Sequence, residues 1–167
     1  AVRKDGPLSP EKAVEYLRQA ADGLSHAHGR NMVHRDIKPS NLLLDKSGTI
    51  KILDLGLALL GGANPNGPDS KSGSKTGSKN NDETSSAWSV GMNVAGTMDY
   101  LAPEQAMGGE PDARGDLYSL GCTLYFLLIG APPFPSNTLH ELLLKHQTQE
   151  PESIADLRPD VPESLNG

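Results

Sequence analysis

Between positions 14 and 27 apolar residues recur every three or four places, as Val14, Leu17, Ala20, Ala21, Leu24 and Ala27. That period predicts a helix with one buried face. Just upstream stand Ser9, Pro10 and Glu11. A serine side chain can accept from the free N–H groups of a first turn, proline suits the first helical position, and glutamate suits the positive end of the dipole. Gly29 offers a left-handed stop. Three short apolar pieces follow, Met32-Val33, Leu42 to Leu44 and Ile50 to Leu53. The last two flank Asp45-Lys46-Ser47-Gly48, a tight-turn composition, and predict a small hairpin. Gly115 to Ile129 is apolar nearly all round, the mark of a helix enclosed by other elements, and Gly130-Ala131-Pro132-Pro133 ends it. A further helix is expected from Thr138 to His146, with Leu139, Leu142 and Leu143 on one stripe. The tail after it is rich in Pro, Glu and Asp and has little periodicity.

From Gly61 to Ser86 no large apolar residue occurs, and Ser-Lys-Ser-Gly-Ser-Lys-Thr-Gly-Ser-Lys nearly repeats. Such a stretch cannot bury enough surface to offset an ordering entropy of about 1–2 kcal/mol per residue. Residues 61–93 are therefore expected to be a flexible low-complexity insert, a tether or a modification site. Lys71, Lys75 and Lys79 within it lie among Asp69, Asp82 and Glu83 and read as a solvated linker. For the whole chain, 167 residues with 36% hydrophobic content suffice for one domain with a core. A net charge of -6 argues against a phosphate-tracking surface, so no nucleic-acid partner is expected. The single cysteine, Cys122, excludes an internal disulfide and a cysteine-based zinc site, and a cytoplasmic location is the expectation. Cys122 falls on the enclosed helix, where an inert thiol is expected. The longest apolar run, Leu117 to Ile129, is broken by Ser119, Gly121 and Thr123 and falls short of the ~20 residues a spanning helix needs. No membrane segment is expected in this chain, although a longer parent could be anchored. Residue 1 is Ala and no basic leader precedes an apolar run, so the sequence is expected to begin mid-protein.

The chemistry concentrates at His34-Arg35-Asp36-Ile37-Lys38-Pro39-Ser40-Asn41 and at Asp54. Asn41 precedes one hairpin strand and Asp54 follows the other, so antiparallel pairing should bring Asp54 beside Asn41 at about the ~4.8 Å interstrand spacing. Two such oxygen ligands, with phosphate oxygens and water, are what a hard cation such as Mg²⁺ takes in an ATP site. Asp36, five residues before Asn41, can face the same phosphate. The bland reading makes Asp36, Asn41 and Asp54 turn-forming polar residues; the agreement of motif, order and convergence favours the chemical one.

The segment His34 to Asn41 resembles the catalytic loop of protein kinases. Its five fixed positions would coincide by chance about once in three million places. A second segment, Gly96-Thr97-Met98-Asp99-Tyr100-Leu101-Ala102-Pro103-Glu104-Gln105, looks like the end of a kinase activation segment. Asp54-Leu55-Gly56 stands where the family usually has Asp-Phe-Gly, with Leu55 as an apolar plug expected to stack on His34. The resemblance covers roughly Leu8 to Pro162 apart from the insert, and its wording is similar to the eukaryotic-like Ser/Thr kinases of bacteria.

The resemblance implies an α+β protein-kinase-like fold: a mainly α-helical C-terminal lobe with a small β-hairpin at the active-site cleft, the N-terminal lobe being absent. Residues 1–167 would be a partial kinase domain whose parent phosphorylates protein Ser or Thr with ATP and Mg²⁺. Asp36 would orient the substrate hydroxyl and accept its proton, Lys38 would neutralise the moving phosphoryl group, and Thr97 would help position the acceptor. Asn41 and Asp54 would hold metal, and Lys38, Asn41, Leu43 and Asp54 would contact the nucleotide complex. Lys at position 38 matches the Ser/Thr-directed loop. His34, Leu55, Gly56, Glu104 and Asp116 would be structural, Asp116 anchoring the backbone of the catalytic loop. Arg35 would answer to a phosphate on the activation segment, with Thr84, Ser85, Ser86 and Ser89 as candidate phosphosites.

The same resemblance exposes what does not precede His34: a glycine-rich loop, the strand Lys and its helix Glu. Those parts, together with C-terminal helices and protein substrates, are the expected partners, and the fragment alone is expected to be marginal and catalytically silent. Glu104, if buried without its usual Arg, could cost about 3–5 kcal/mol; Arg158 comes too early in the chain to be that Arg. His26 and His28, two apart, cannot share a helix face and read as surface or packing residues. Two rival readings of the same residues are weaker. A pseudokinase scaffold is disfavoured by intact Asp36, Lys38, Asn41 and Asp54. A small-molecule phosphotransferase of kinase-like fold is disfavoured by the segment from Gly96 to Glu104.

Overall fold

The computed structural model describes residues 6–54, 59–60, 98–109 and 112–165. The insert at 61–93, together with Leu55, Gly56, Thr97 and the candidate phosphosites, lies outside them.

Helix α1 runs Pro10–His28. Ser9 precedes it in extended conformation, but its side chain makes no cap bond; its carbonyl accepts from the N–H of Ala13 at 3.0 Å. The expected serine cap is thus replaced by Pro10, which has no N–H to satisfy. The buried face is Ala13, Ala20 and Leu24, with Leu17 packed at its edge. Val14 is 38% exposed, a correction to the expected stripe; Ala13, Leu17, Ala20 and Leu24 keep the four-three-four spacing and turn Val14 outward. Gly29 is right-handed, with φ −61°, so it is not the left-handed stop. That role passes to Asn31 at φ 57°, a side chain that tolerates the region better than most.

Strand β1 (Met32–Val33) leads to a 3-10 turn at Pro39–Asn41, then β2 (Leu42–Leu44) and β3 (Ile50–Ile52). The β2–β3 hairpin pairs Leu42 with Ile52, Leu43 with Lys51 and Leu44 with Ile50. Its turn is organised by Asp45, whose Oδ1 accepts from the N–H groups of Ser47 (2.8 Å) and Thr49 (3.0 Å). These bonds, with the Ser47 hydroxyl foremost, pull the Asp45 carboxyl down to about 2. Gly48, at φ 84°, supplies the left-handed corner. A second pair, β1 with β4 (Leu59–Leu60), was not evident from two-residue apolar pieces.

Helix α2 (Pro103–Ala106) is one turn. Helix α3 (Ala113–Ile129) begins two residues before the apolar run, because Asp112 caps it by accepting from the Arg114 N–H at 2.8 Å. Gly130 ends it at φ 88°. Two of three core clusters are built on α3. One joins Tyr125, Leu127 and Leu128 to Ala13, Ile154 and Val161; the other joins Leu120 to Ala20, Leu24 and Ile37 and reaches the hairpin through Leu42, Ile50 and Ile52. Leu117, 55% exposed, is the one large apolar side chain of α3 left outside the core.

Helix α4 (Leu139–Thr148) is capped by Thr138 on the Glu141 N–H. Its inner face is Leu142, Leu143 and His146, not Leu139, which is 45% exposed. The aperiodic tail holds α5 (Ile154–Leu157). Arg158 follows it and donates Nη1 to the carbonyl of Leu128 at 2.6 Å, while Asp160 holds its other edge. No helix among the described residues is long and apolar enough to cross a membrane.

Candidate active site

The segment 34–41 crosses from β1 to β2 beneath the N-terminal end of α3, and its shape is imposed by side chains from elsewhere. Asp116, in the first turns of α3 and 1% exposed, accepts from the N–H of His34 (2.8 Å) and of Arg35 (2.7 Å). A buried carboxylate left without such donors would be costly, so these bonds stabilise both partners. His28, at the end of α1, adds a third contact from Nε2 to Asp116 at 2.7 Å. One carboxylate therefore ties α1, α3 and the loop together. Arg35 sits at φ 69°, a left-handed conformation unfavourable for a long side chain.

Asp36 is the focus of the polar side chains. Asn41 donates Nδ2 both to the Asp36 carbonyl (2.8 Å) and to Asp36 Oδ2 (2.9 Å). Lys38 Nζ lies 2.8 Å from the same Oδ2, and the Asp36 and Lys38 side chains are 12% and 16% exposed. Both amide hydrogens of Asn41 are thus committed to Asp36, which leaves its Oδ1 as an available oxygen donor. His34 is buried and its Nε2 bonds the Leu53 carbonyl at 2.9 Å, fixing the loop to the strand end. The Leu53 N–H in turn donates to the carbonyl of Asn41 at 2.8 Å. Asp54 is therefore one residue past the position opposite Asn41, a correction to the expected direct pairing. It turns away from the ladder at φ 59°.

The chain matches the protein kinase domain family over residues 1–165. It belongs to that family. Relatives include PknB, a serine/threonine-protein kinase of Mycolicibacterium smegmatis, 34% identical over 99% of this chain and 23% of the relative. Another is PrkC, a serine/threonine-protein kinase of Bacillus subtilis, 35% identical over 98% of this chain and 22% of the relative. A probable serine/threonine-protein kinase of Corynebacterium efficiens is 35% identical over 95% of this chain and 22% of its own length. The chain thus spans under a quarter of the length of these kinases.

Within this kinase domain the donor set at the hairpin fits magnesium. Asn41 Oδ1 and the Asp54 carboxylate are hard oxygens that could hold magnesium, an ion that in an ATP site needs only one or two such donors beside phosphate and water. Among the described residues no cluster of three His, Cys, Asp or Glu side chains forms an all-protein metal site. Leu43 is 48% exposed on β2, with Leu44 and Leu53 exposed nearby in the hairpin. Arg35 Nε is buried and has no hydrogen-bond partner among the described residues.

One expectation changes. Glu104 is only half-buried and makes no ion pair among the described residues, so the penalty reckoned for a buried carboxylate does not apply. Arg158 serves α3 and Asp160 instead of Glu104. The sequence reading also missed His28, set aside because it shares no face with His26; its signal was the C-terminal position in α1, where an imidazole can reach across to the next helix. His146 was missed too. It is 4% exposed, bonded through Nδ1 to the Tyr118 hydroxyl at 2.7 Å and packed edge-on to Phe134. Burial pushes its imidazole below the ordinary range, partly offset by the Met98 backbone. Cys122 is buried, and that burial pushes its thiol up to about 12, away from nucleophilic use.

Proposed function

We propose that this chain is the larger, mainly helical lobe of a kinase that transfers the γ-phosphoryl group of ATP to Ser or Thr hydroxyls of protein substrates. The observation that carries this reading is Asp36, its carboxylate held by the Asn41 amide at 2.9 Å and the Lys38 ammonium at 2.8 Å. Asp36 orients the acceptor hydroxyl and takes its proton; Lys38 neutralises charge that grows on the transferred group. Asn41 does two things, steering Asp36 through Nδ2 and offering Oδ1 to magnesium together with Asp54. Magnesium held by Asn41 and Asp54 would supply charge neutralisation for the phosphates. Leu43, 48% exposed, lies opposite Lys51 on the hairpin face turned away from the core, open to a nucleotide base. Thr97 completes acceptor positioning, and Glu104 holds the end of the activation segment.

Residues 1–167 form part of the kinase domain, and the opposing ATP-gripping lobe, C-terminal helices and protein substrates are its partners. Residues 61–93 are an insert in the activation segment, and a phosphate on Thr84, Ser85, Ser86 or Ser89 would meet Arg35, whose buried Nε has no hydrogen-bond partner among the described residues. A cytoplasmic location fits a lone, reduced cysteine. The deciding experiment compares wild type and Asp36→Asn in the full-length protein with ATP, magnesium and a Ser/Thr peptide mixture. Phosphotransfer should fall at least about 100-fold with nucleotide affinity retained; equal rates would overturn the reading.

A further inference from the structure

The peptide of Arg35 is gripped from both sides. Its N–H is taken by Asp116 of α3 at 2.7 Å. Its carbonyl accepts from Nε2 of Gln105, in α2, at 3.3 Å. Gln105 is 7% exposed, 70 residues along the chain from Arg35, and its Oε1 accepts from the Ala102 N–H, also at 3.3 Å. The two contacts fix the amide's orientation: rotating it by a half-turn would set Nε2 against an N–H and Oε1 against a carbonyl, losing both bonds. A glutamine that merely capped its own helix would need only the Oε1 contact. The second bond points outward, to the residue whose left-handed conformation, φ 69°, sets the direction in which Asp36 leaves the chain.

We propose that Gln105 is a positioning residue that couples the end of the activation segment to the catalytic loop through the Arg35 carbonyl. The inference rests on the kinase reading for its catalytic consequence but not for its structural one. Asp116 holds the Arg35 N–H from one helix and Gln105 holds the opposite end of the same residue from another, so Arg35 keeps a left-handed backbone only while both helices are docked. Movement of α2, which carries Ala102, Pro103 and Glu104 with it, is transmitted to Asp36 over a single residue. No group in this coupling needs to touch substrate.

The test uses the full-length protein and the variants Gln105→Glu, which keeps an acceptor for Ala102 but loses the donor to Arg35, and Gln105→Met, which fills the same space without either bond. Amide hydrogen exchange is read at residues 34–38 and at 120–128 of α3. Both variants should exchange about five-fold faster at 34–38 with α3 unchanged, the effect of losing one net hydrogen bond. In the same samples kcat for peptide phosphorylation should fall about five-fold or more, with the KM for ATP within two-fold of wild type. Protection at 34–38 unchanged in both variants, or lost equally across α3, overturns the coupling whatever the activity. An inactive wild type would sink the kinase reading while leaving the exchange result standing on its own.

Discussion

The two ends of α3 stabilise the molecule by different forces. The C-terminal end contributes Tyr125, Leu127 and Leu128 to an apolar cluster with Ala13, Ile154 and Val161, where contacts are many and individually replaceable. The N-terminal end contributes one carboxylate, Asp116, to three donors at 2.7 to 2.8 Å. Apolar burial resists unfolding but tolerates small shifts, whereas hydrogen bonds of this length define where the backbone of His34 and Arg35 must lie. One helix thus provides bulk stability at one end and precision of placement at the other.

The contrast can be broken most severely at Asp116. Asp116→Ala strands two backbone N–H groups and an imidazole, and should lower stability by about 3–5 kcal/mol; chemical denaturation gives the stability. Under the proposed kinase function, phosphotransfer by the folded fraction of the full-length protein should fall at least about 100-fold, read in a peptide assay. Next comes Leu128→Ala at the other end. It should lower stability by about 2–5 kcal/mol through the cavity it opens, yet leave kcat per folded molecule within about two-fold. If Leu128→Ala reduced turnover as deeply as Asp116→Ala, the division of labour along α3 would be wrong.

The smallest effect is a sharpening by pH at a third place, His146. Its folded value is pushed down by burial against Tyr118 and Phe134, so the native state favours the neutral ring. That stability is complete above about pH 6.5, the free imidazole value, and is lost as pH falls through the depressed folded value. Urea midpoints measured from pH 7.5 to 5 should decline in wild type, with a shallower decline in His146→Gln. An equal decline in both would assign the acid sensitivity to other groups.

How much of this was legible in the residues differs between the same two regions. The apolar end of α3, the hairpin and the loop motif all have local signals: periodicity, turn composition and fixed spacing. The expected pairing of Asp54 with Asn41 is off by one residue, because the ladder ends with Leu53 opposite Asn41 and Asp54 turns left-handed. The partners of Asp116 at His28 and of Arg35 at Gln105 lie 88 and 70 residues away in sequence. No local period encodes such meetings. The caps show the same limit in miniature, since Ser9 has the right side chain and does not use it, while Asp112 and Thr138 do. Whether such a side chain caps depends on the approach of the preceding chain, which before Ser9 is set by Leu127 of α3 and Arg158 of the tail through Leu8.

Asn31, Arg35 and Asp54 all adopt positive φ without being glycine, at a strain of roughly 1–3 kcal/mol apiece. The bend at Arg35 is held by Asp116 of α3 and Gln105 of α2, so the crossing at 34–41 is a seat that depends on both helices. On warming the seat loosens while the scaffold is intact, and a sample should forfeit turnover at a temperature below that at which its helices melt.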